Sequence, residues 1–264
     1  MADQPRLIEV AGWLALVRHG QSTWIVENRF QGQSDSPLSP LGERQAELVG
    51  LRLRDPAKTP ALPLPATAPI RIWHSPLARA ASTAAAIRRA RGGDAPLHPD
   101  ARLSELAQGR WEGLTHAEVT ERYGSELAAW RADPVHNHAP GGESLPEGAA
   151  RVGAALDDIT AALRNASSTA AAANSDPVLG YGAGADGTAW GIVVAHDGIL
   201  RLALLTLLGV PLDLYWSFPF ALGAVSVVEI LGGRARLRAH NLAEHLDELA
   251  AGDAGPSTDR GGAL

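Results

Sequence analysis

Cysteine is missing from this chain of 264 residues. Disulfides, thiolate metal sites and cysteine nucleophiles are excluded with it. The absence suits a reducing compartment, and a cytoplasmic location is the expectation. Lysine occurs once, at Lys58, so arginine carries almost all of the positive charge. Any anion site must therefore be built from arginine, histidine and backbone N–H groups. The formal net charge of -6 supplies no general attraction to nucleic acid or to an anionic membrane, and neither is expected as a partner. Long hydrophobic runs are also lacking. The stretch Met1 to Arg18 is too short and too interrupted for a secretory signal. Gly191 to Val210 contains His196, Asp197 and Arg201, and it reads as strand, turn and helix instead of a membrane span.

What is present is an alternation of short apolar runs and helical segments. Trp13 to Val17 reads as a buried strand feeding a turn. Ser39-Pro40 starts a helix to about Arg54, with Ser39 as cap and proline in the first turn. Ile70 to His74 is the next strand, and Ser75-Pro76 opens another helix, to about Arg91, with Ser75 as its cap. Gly191 to Ala195 is a third strand, followed by a helix from about Gly198 to Leu208. Ala224 to Ile230 and Ala235 to His240 form a closing hairpin around Gly232-Gly233. The expected fold is α/β: a three-layer α/β/α sandwich with a mostly parallel central sheet. One domain is expected over residues 1–250. It carries a cap-like excursion at about 111–148, with a helix from His116 to Arg131, and a low-complexity insertion at about 167–187. The tail 251–264 is expected to be disordered.

Four constellations carry chemistry. Arg18-His19-Gly20-Gln21-Ser22 ends the first strand, where an open α/β sheet binds its ligands. Gly20 there permits close backbone approach to a ligand. Taken alone, this string also suits a solvated surface turn. Trp73-His74-Ser75-Pro76-Leu77-Ala78-Arg79 puts an arginine near a helix N-terminus, a placement disfavoured unless an anion lies between them. Val193-Val194-Ala195-His196-Asp197-Gly198 delivers a second histidine from a second buried strand. In Leu103-Ser104-Glu105-Leu106, Glu105 lies between apolar residues; partial burial raises its pKa and suits it to donate a proton.

In this order and spacing the four segments resemble the histidine phosphatase superfamily, which includes the cofactor-dependent phosphoglycerate mutases. Supporting pieces are Arg29-Phe30-Gln31-Gly32, Ser36 to Gly42, Gly141-Gly142-Glu143-Ser144, Leu207 to Pro211 and Asn241. The similarity runs from about Leu14 to Leu246, apart from Ser167 to Gly187. It implies that His19 is the nucleophile and forms a phosphohistidine. It further implies that Arg18, Arg79 and His196 surround the phosphoryl oxygens, and that Glu105 protonates the leaving group and then deprotonates water. Gln21, Ser22, Asn28 and Asp197 are carried as further phosphate-binding candidates. Neither a metal nor a cofactor is implied, since arginine and histidine supply the positive field.

Two positions depart from the family pattern. Ile25 stands where the family commonly has an asparagine that donates to the phosphoryl group, and Asn28 lies three residues on. Asp197 stands where the second histidine is often followed by glycine. A carboxylate there is repulsive to an anion unless it points outward or pairs with an arginine, and both remain open. The segment after Trp111 is shorter than the insertion of the glycolytic mutases, which favours a phosphatase acting on a small phosphorylated metabolite. A mutase, or a binding or regulatory protein with weakened catalysis, is the alternative. Trp111 and Trp130, with His136 and His138, either line a cap over the leaving group or anchor the excursion to the core. A homodimer through the Phe218-Pro219-Phe220 region and the closing hairpin is left open.

Overall fold

The computed structural model describes residues 10–93, 95–171 and 188–252. Six strands and seven α-helices lie among the described residues. They are β1 (Val10–Arg18), α1 (Thr23–Val26), α2 (Pro40–Arg54), β2 (Ile72–His74), α3 (Ala78–Ala90), β3 (Leu97–Pro99), α4 (His116–Ala132), α5 (Leu145–Ala171) and β4 (Trp190–Ala195). Then follow α6 (Asp197–Leu208), β5 (Val225–Leu231), β6 (Arg234–Leu242) and α7 (Asp247–Gly252).

One sheet holds all six strands in the order β3-β2-β4-β1-β5-β6. The pairings from β3 through β2 and β4 to β1 are parallel, and those of β1 with β5 and β5 with β6 are antiparallel. The expected α/β class with a mostly parallel sheet is what is found.

Alternate residues of β1 point to opposite faces, as the period of a strand requires. Leu14 and Leu16 join Val193, Ala195 and Val228 in a core shared with α5 and α6. Trp13, Ala15 and Val17 join Ile72, Ile192, Val194 and Val227 in a core shared with α2 and α3. Burial on both faces explains why β1 and β4 read as continuous apolar runs and not as alternating ones. Helix α6 is buried on every side from Asp197 to Leu205, and apart from the pair Asp197 and Arg201 its residues there are apolar. Each of its leucines contributes about 1.5–3 kcal/mol by leaving water.

Ser39 caps α2 as expected, its hydroxyl accepting from the Gly42 N–H at 3.0 Å, with Pro40 in the first turn. The start of α3 differs. The helix begins at Ala78, two residues beyond the expected proline, and Ser75 is not its cap. Asp35 Oδ1 accepts from the Ala78 N–H at 2.7 Å instead, an end signal that comes from 43 residues away. A second difference concerns the low-complexity segment. Helix α5 runs through residue 171, so the first five residues of that segment continue a helix. Residues 172–187 lie outside the described residues, as does the tail from 253; α7 extends two residues into the expected tail. Among the described residues, no helix is long and apolar enough to cross a membrane.

Gly191 leaves room for the Trp73 ring in the neighbouring strand: a Cβ there meets Cζ3 of that ring and lies 3.3 Å from Cε3. Gly191→Ala is therefore expected to lower stability by about 1–3 kcal/mol through overpacking, with catalytic residues unchanged. Urea unfolding monitored by tryptophan fluorescence measures this; an unchanged midpoint contradicts it.

Candidate active site

The parallel strands β1, β2 and β4 end side by side. The His19 N–H donates to Ala195 O at 3.0 Å, and the Ser75 N–H donates to Val194 O at 3.0 Å. Three strand ends thus bring His19, Ser75 and His196 together at the carboxyl edge of the sheet, where such folds bind ligands.

His19 and His196 meet edge to face, with ring centroids 5.0 Å apart. His19 Nδ1 lies 2.6 Å from Gly20 O. A carbonyl only accepts, so Nδ1 carries the proton and Nε2 keeps a free lone pair. His196 Nε2 bonds Ser75 Oγ at 2.8 Å, which fixes the second ring. Burial, and after it the charges of Arg79 and Arg18, hold the His19 pKa well below the ordinary imidazole value. Burial and then Arg79, His19 and Arg18 do the same to His196. Both rings are therefore neutral at neutral pH.

The two arginines are held by backbone carbonyls. Arg18 Nη1 donates to Phe220 O at 2.6 Å. Arg79, fully buried, donates from Nη1 to Ser34 O at 3.0 Å and from Nη2 to Gly32 O at 2.7 Å. Its pKa falls to about 10, chiefly through burial, so it remains charged. The loop that receives Arg79 is pinned from its other side by Glu112, whose carboxylate accepts from the N–H groups of Gln33, Ser34 and Gln108. Arg18 Nε, Arg79 Nε and His196 Nδ1 are buried with no hydrogen-bond partner among the described residues. Buried donors are normally paired, so these three mark a place for an acceptor.

Glu105 is buried, and its carboxylate sits over the start of α6. Oε1 accepts from the N–H groups of Leu106 at 2.9 Å and Ile199 at 3.1 Å, and Oε2 from that of Gly198 at 3.2 Å. Burial raises its pKa and outweighs these donors; Asp197 raises it further, and Arg79 opposes the rise. Gly198 is what admits the carboxylate, since a Cβ there lies 2.6 Å from Glu105 Oε1 and 2.9 Å from the Tyr215 hydroxyl. Arg151 supports the same segment. It pairs with Glu143 at 2.6 Å and donates to the carbonyls of Arg102 and Ser104.

The four further candidates are engaged elsewhere. Gln21 Oε1 accepts from Ser39 Oγ at 2.7 Å, and the Gln21 N–H donates to Gln45 Oε1 at 2.8 Å. Ser22, fully buried, donates to Gln31 Oε1 at 2.6 Å and caps α1 by accepting from the Ile25 N–H. Asn28 is exposed in a left-handed turn, φ 56°, with its carbonyl accepting from the His116 N–H. Asp197 neither points outward nor meets an anion: it is buried and ion-paired with Arg201 at 2.8 Å. Gly20 is also committed differently from expectation. Its missing Cβ admits the Gly42 carbonyl at the first turn of α2. Trp111 and Trp130 are buried and meet edge to face at 5.9 Å, so they anchor the excursion to the core. Sequence reasoning missed Ser75 as a partner of His196, and missed Tyr215 and Glu112. The partners of Ser75 and Glu112 lie 121 and 79 residues away in the chain, and no local pattern signals such pairs.

Two imidazoles and two guanidinium groups, three of whose buried nitrogens have no partner among the described residues, thus lie together at the carboxyl edge of an α/β/α sandwich. The chain belongs to the histidine phosphatase superfamily (branch 1), whose family model matches residues 14–173 and 181–243. It is 32% identical over 220 residues to a glucosyl-3-phosphoglycerate phosphatase of Mycolicibacterium vanbaalenii, covering 83% of this chain and 84% of that protein. It is 39% identical over 144 residues to a 2,3-bisphosphoglycerate-dependent phosphoglycerate mutase of Cytophaga hutchinsonii; that match covers 53% of this chain and only 60% of the mutase. The solved native structure of a mycobacterial glucosyl-3-phosphoglycerate phosphatase superposes with a TM-score of 0.69 at 27% identity, over 88% of this chain and 99% of that one.

Arg79→Lys keeps a charge but loses the fork that spans the Ser34 and Gly32 carbonyls. Its affinity for inorganic phosphate, measured by calorimetry, is expected to fall by about 1.5–3 kcal/mol, the worth of a hydrogen bond to a charged group. Wild-type affinity in this variant contradicts the assignment of Arg79 to the anion.

Proposed function

We propose that the protein is a phosphatase that hydrolyses a small phosphorylated metabolite through a phosphohistidine on His19. The observation that carries this reading is the neutral His19 ring with Nδ1 bonded to Gly20 O, beside three buried donors without partners. A phosphoryl group bound there satisfies those donors and stands before the Nε2 lone pair.

The chemistry follows in two displacements. His19 Nε2 attacks phosphorus in line, the N–P bond forms and the ester P–O bond breaks. Arg18, Arg79 and His196 counter the charge on the phosphoryl oxygens as it shifts. Protonated Glu105 gives its proton to the departing alkoxide. The resulting carboxylate is held by the N–H groups of Leu106, Gly198 and Ile199. It then takes a proton from the attacking water as the N–P bond breaks, and phosphate leaves. Charge on Glu105 is thus tolerated after the first step, and burial favours its reprotonation for the next turnover.

Mutase-type transfer is the second reading, and the identity to the Cytophaga mutase favours it. A mutase must retain the phosphoryl group while the substrate reorients, which calls for a closed and water-poor site. Isomerisation of 3-phosphoglycerate in the presence of its bisphosphate, without net phosphate release, distinguishes it.

Phosphate release from p-nitrophenyl phosphate is expected for the wild type and to be lost in His19→Ala; equal rates in both proteins overturn the reading. The pH profile is a separate test. Activity needs neutral His19 and protonated Glu105. The rate constant kcat/KM is thus gained as pH rises through the lowered His19 pKa, below the ordinary value of about 6.5. It is lost as pH rises through the raised Glu105 pKa, above the ordinary value of about 4.3. Glu105→Gln is expected to lower the rate ~10²–10⁴-fold and to remove the alkaline limb. An alkaline limb that persists in that variant assigns the acid to another group.

A further inference from the structure

The first residue after the second histidine carries a carboxylate that the phosphatase reading leaves without a task. Asp197 and Arg201 lie one turn apart on α6, both buried. They form a two-pronged pair, Arg201 Nε to Asp197 Oδ1 at 3.0 Å and Nη2 to Oδ2 at 2.8 Å. The pair does not end there. Asp197 Oδ1 also accepts from the Phe220 N–H at 3.1 Å, and the carbonyl of Phe220 accepts from Arg18 Nη1 at 2.6 Å. Arg201 is fixed in turn by Tyr215, donating to its carbonyl at 3.3 Å and lying over its ring at 5.5 Å and over that of Trp216 at 5.2 Å.

We propose that Asp197 and Arg201 are positioning residues that set the guanidinium of Arg18 through the backbone of Phe220. The inference rests on the phosphatase reading, in which Arg18 contacts the phosphoryl group.

The physical argument begins from what Arg18 lacks. Among the described residues no carboxylate forms an ion pair with it, and its side chain is anchored on the Phe220 carbonyl. An arginine kept for an anion cannot be anchored by a carboxylate of its own, because that carboxylate would neutralise the field. A carbonyl anchors it without that cost, provided the carbonyl itself cannot move. Leu212–Ser217 is a 3-10 helix, and Phe220 lies in the link between it and β5. Two acceptors brace Phe220 there: the Asp197 carboxylate takes its N–H from the start of α6, and Asn241 Oδ1 takes the Ala221 N–H of the peptide that carries the Phe220 carbonyl, at 2.6 Å. Arg201 then neutralises that carboxylate, which would otherwise be an unpaired buried charge next to an anion site. One helix turn thereby fixes His196 directly and Arg18 at one remove, so both move as a unit. The departure at residue 197 becomes a bracing element and not a defect.

The test is a pair of double-mutant cycles on p-nitrophenyl phosphate turnover and on orthovanadate inhibition. Asp197→Ala alone is expected to lower kcat and to weaken vanadate binding, each by ~10–100-fold, the loss that follows a misplaced catalytic group. Combined with Arg18→Ala, it is expected to add less than about twofold to the loss seen in Arg18→Ala alone. Combined with Glu105→Gln, the two losses are expected to multiply. Arg201→Met provides the same cycle if Asp197→Ala does not fold, and Asp197→Asn gives a milder third variant. Thermal melting records the stability lost with the pair. A merely structural pair lowers the melting temperature but leaves vanadate affinity unchanged and multiplies with Arg18→Ala; that result overturns the proposal. Loss that vanishes in the Glu105→Gln background instead overturns it in favour of an effect through Glu105. Phosphate affinity by calorimetry reads the same cycle without turnover. A wild type whose activity ignores His19 thus sinks the phosphatase reading without touching this measurement.

Discussion

The structure depends on keeping two guanidinium groups buried beside two neutral imidazoles with no carboxylate between them. Burial penalises the charged form, and Arg79 feels this most, its pKa falling to about 10. The same positive field keeps His19 and His196 unprotonated. An imidazole must be neutral to act as a nucleophile, so burial and the neighbouring charges leave the His19 ring in the form that the proposed attack needs. The arrangement is unfavourable while its donors are unpaired, and the surrounding fold compensates.

The compensation follows one rule: arginines near the site are anchored on carbonyls, and the carbonyls are anchored by carboxylates set further out. Arg79 rests on Ser34 and Gly32, and Glu112 holds that loop. Arg18 rests on the carbonyl of Phe220, and Asp197 holds the N–H of the same residue. Arg151 reverses the pattern, tying the carbonyls of Arg102 and Ser104 while Glu143 neutralises it, which steadies the segment of Glu105. Negative charge is thereby kept one peptide away from the place where a phosphoryl anion would sit. That distance matters because the interaction of buried charges weakens with separation while backbone hydrogen bonds do not cancel it.

The strand ends were legible in the sequence because fully buried strands are uninterrupted apolar runs, and each stops at a polar, nitrogen-bearing side chain: Val17 before Arg18, Ala195 before His196. The order of the four segments carried the family. What was hidden is of another kind. Ser75-Pro76 has the local signature of a capped helix start, yet the serine turns to His196 and Asp35 caps the helix. Ser22 and Gln21 stand beside the nucleophile in sequence, but their side chains brace α1 and α2. Adjacency in the chain says little about direction at a turn, where successive side chains diverge. The long helix α5 was obscured because alanine, serine and glycine together resemble a loop in composition while alanine alone favours a helix.

Helix α6 shows why arginine is needed here at all. A helix N-terminus with free N–H groups is a ready anion site. In this protein the Glu105 carboxylate occupies it, taking the N–H groups of Gly198 and Ile199. The fold spends its helix-end donors on the Glu105 carboxylate, which on the proposed reading leaves a phosphoryl group to side chains. Each choice requires the other. A carboxyl group buried without such donors would stay protonated and could not take a proton from water. A phosphoryl group placed on the helix end would displace Glu105 from the only position where its anion is stabilised. Glycine at residue 198 is the hinge of the arrangement, since any Cβ there closes the path between Glu105 and the helix. The two acids beside the start of α6 thus differ in their partners: Asp197 is paired with Arg201, while Glu105 is held by N–H groups and burial raises its pKa.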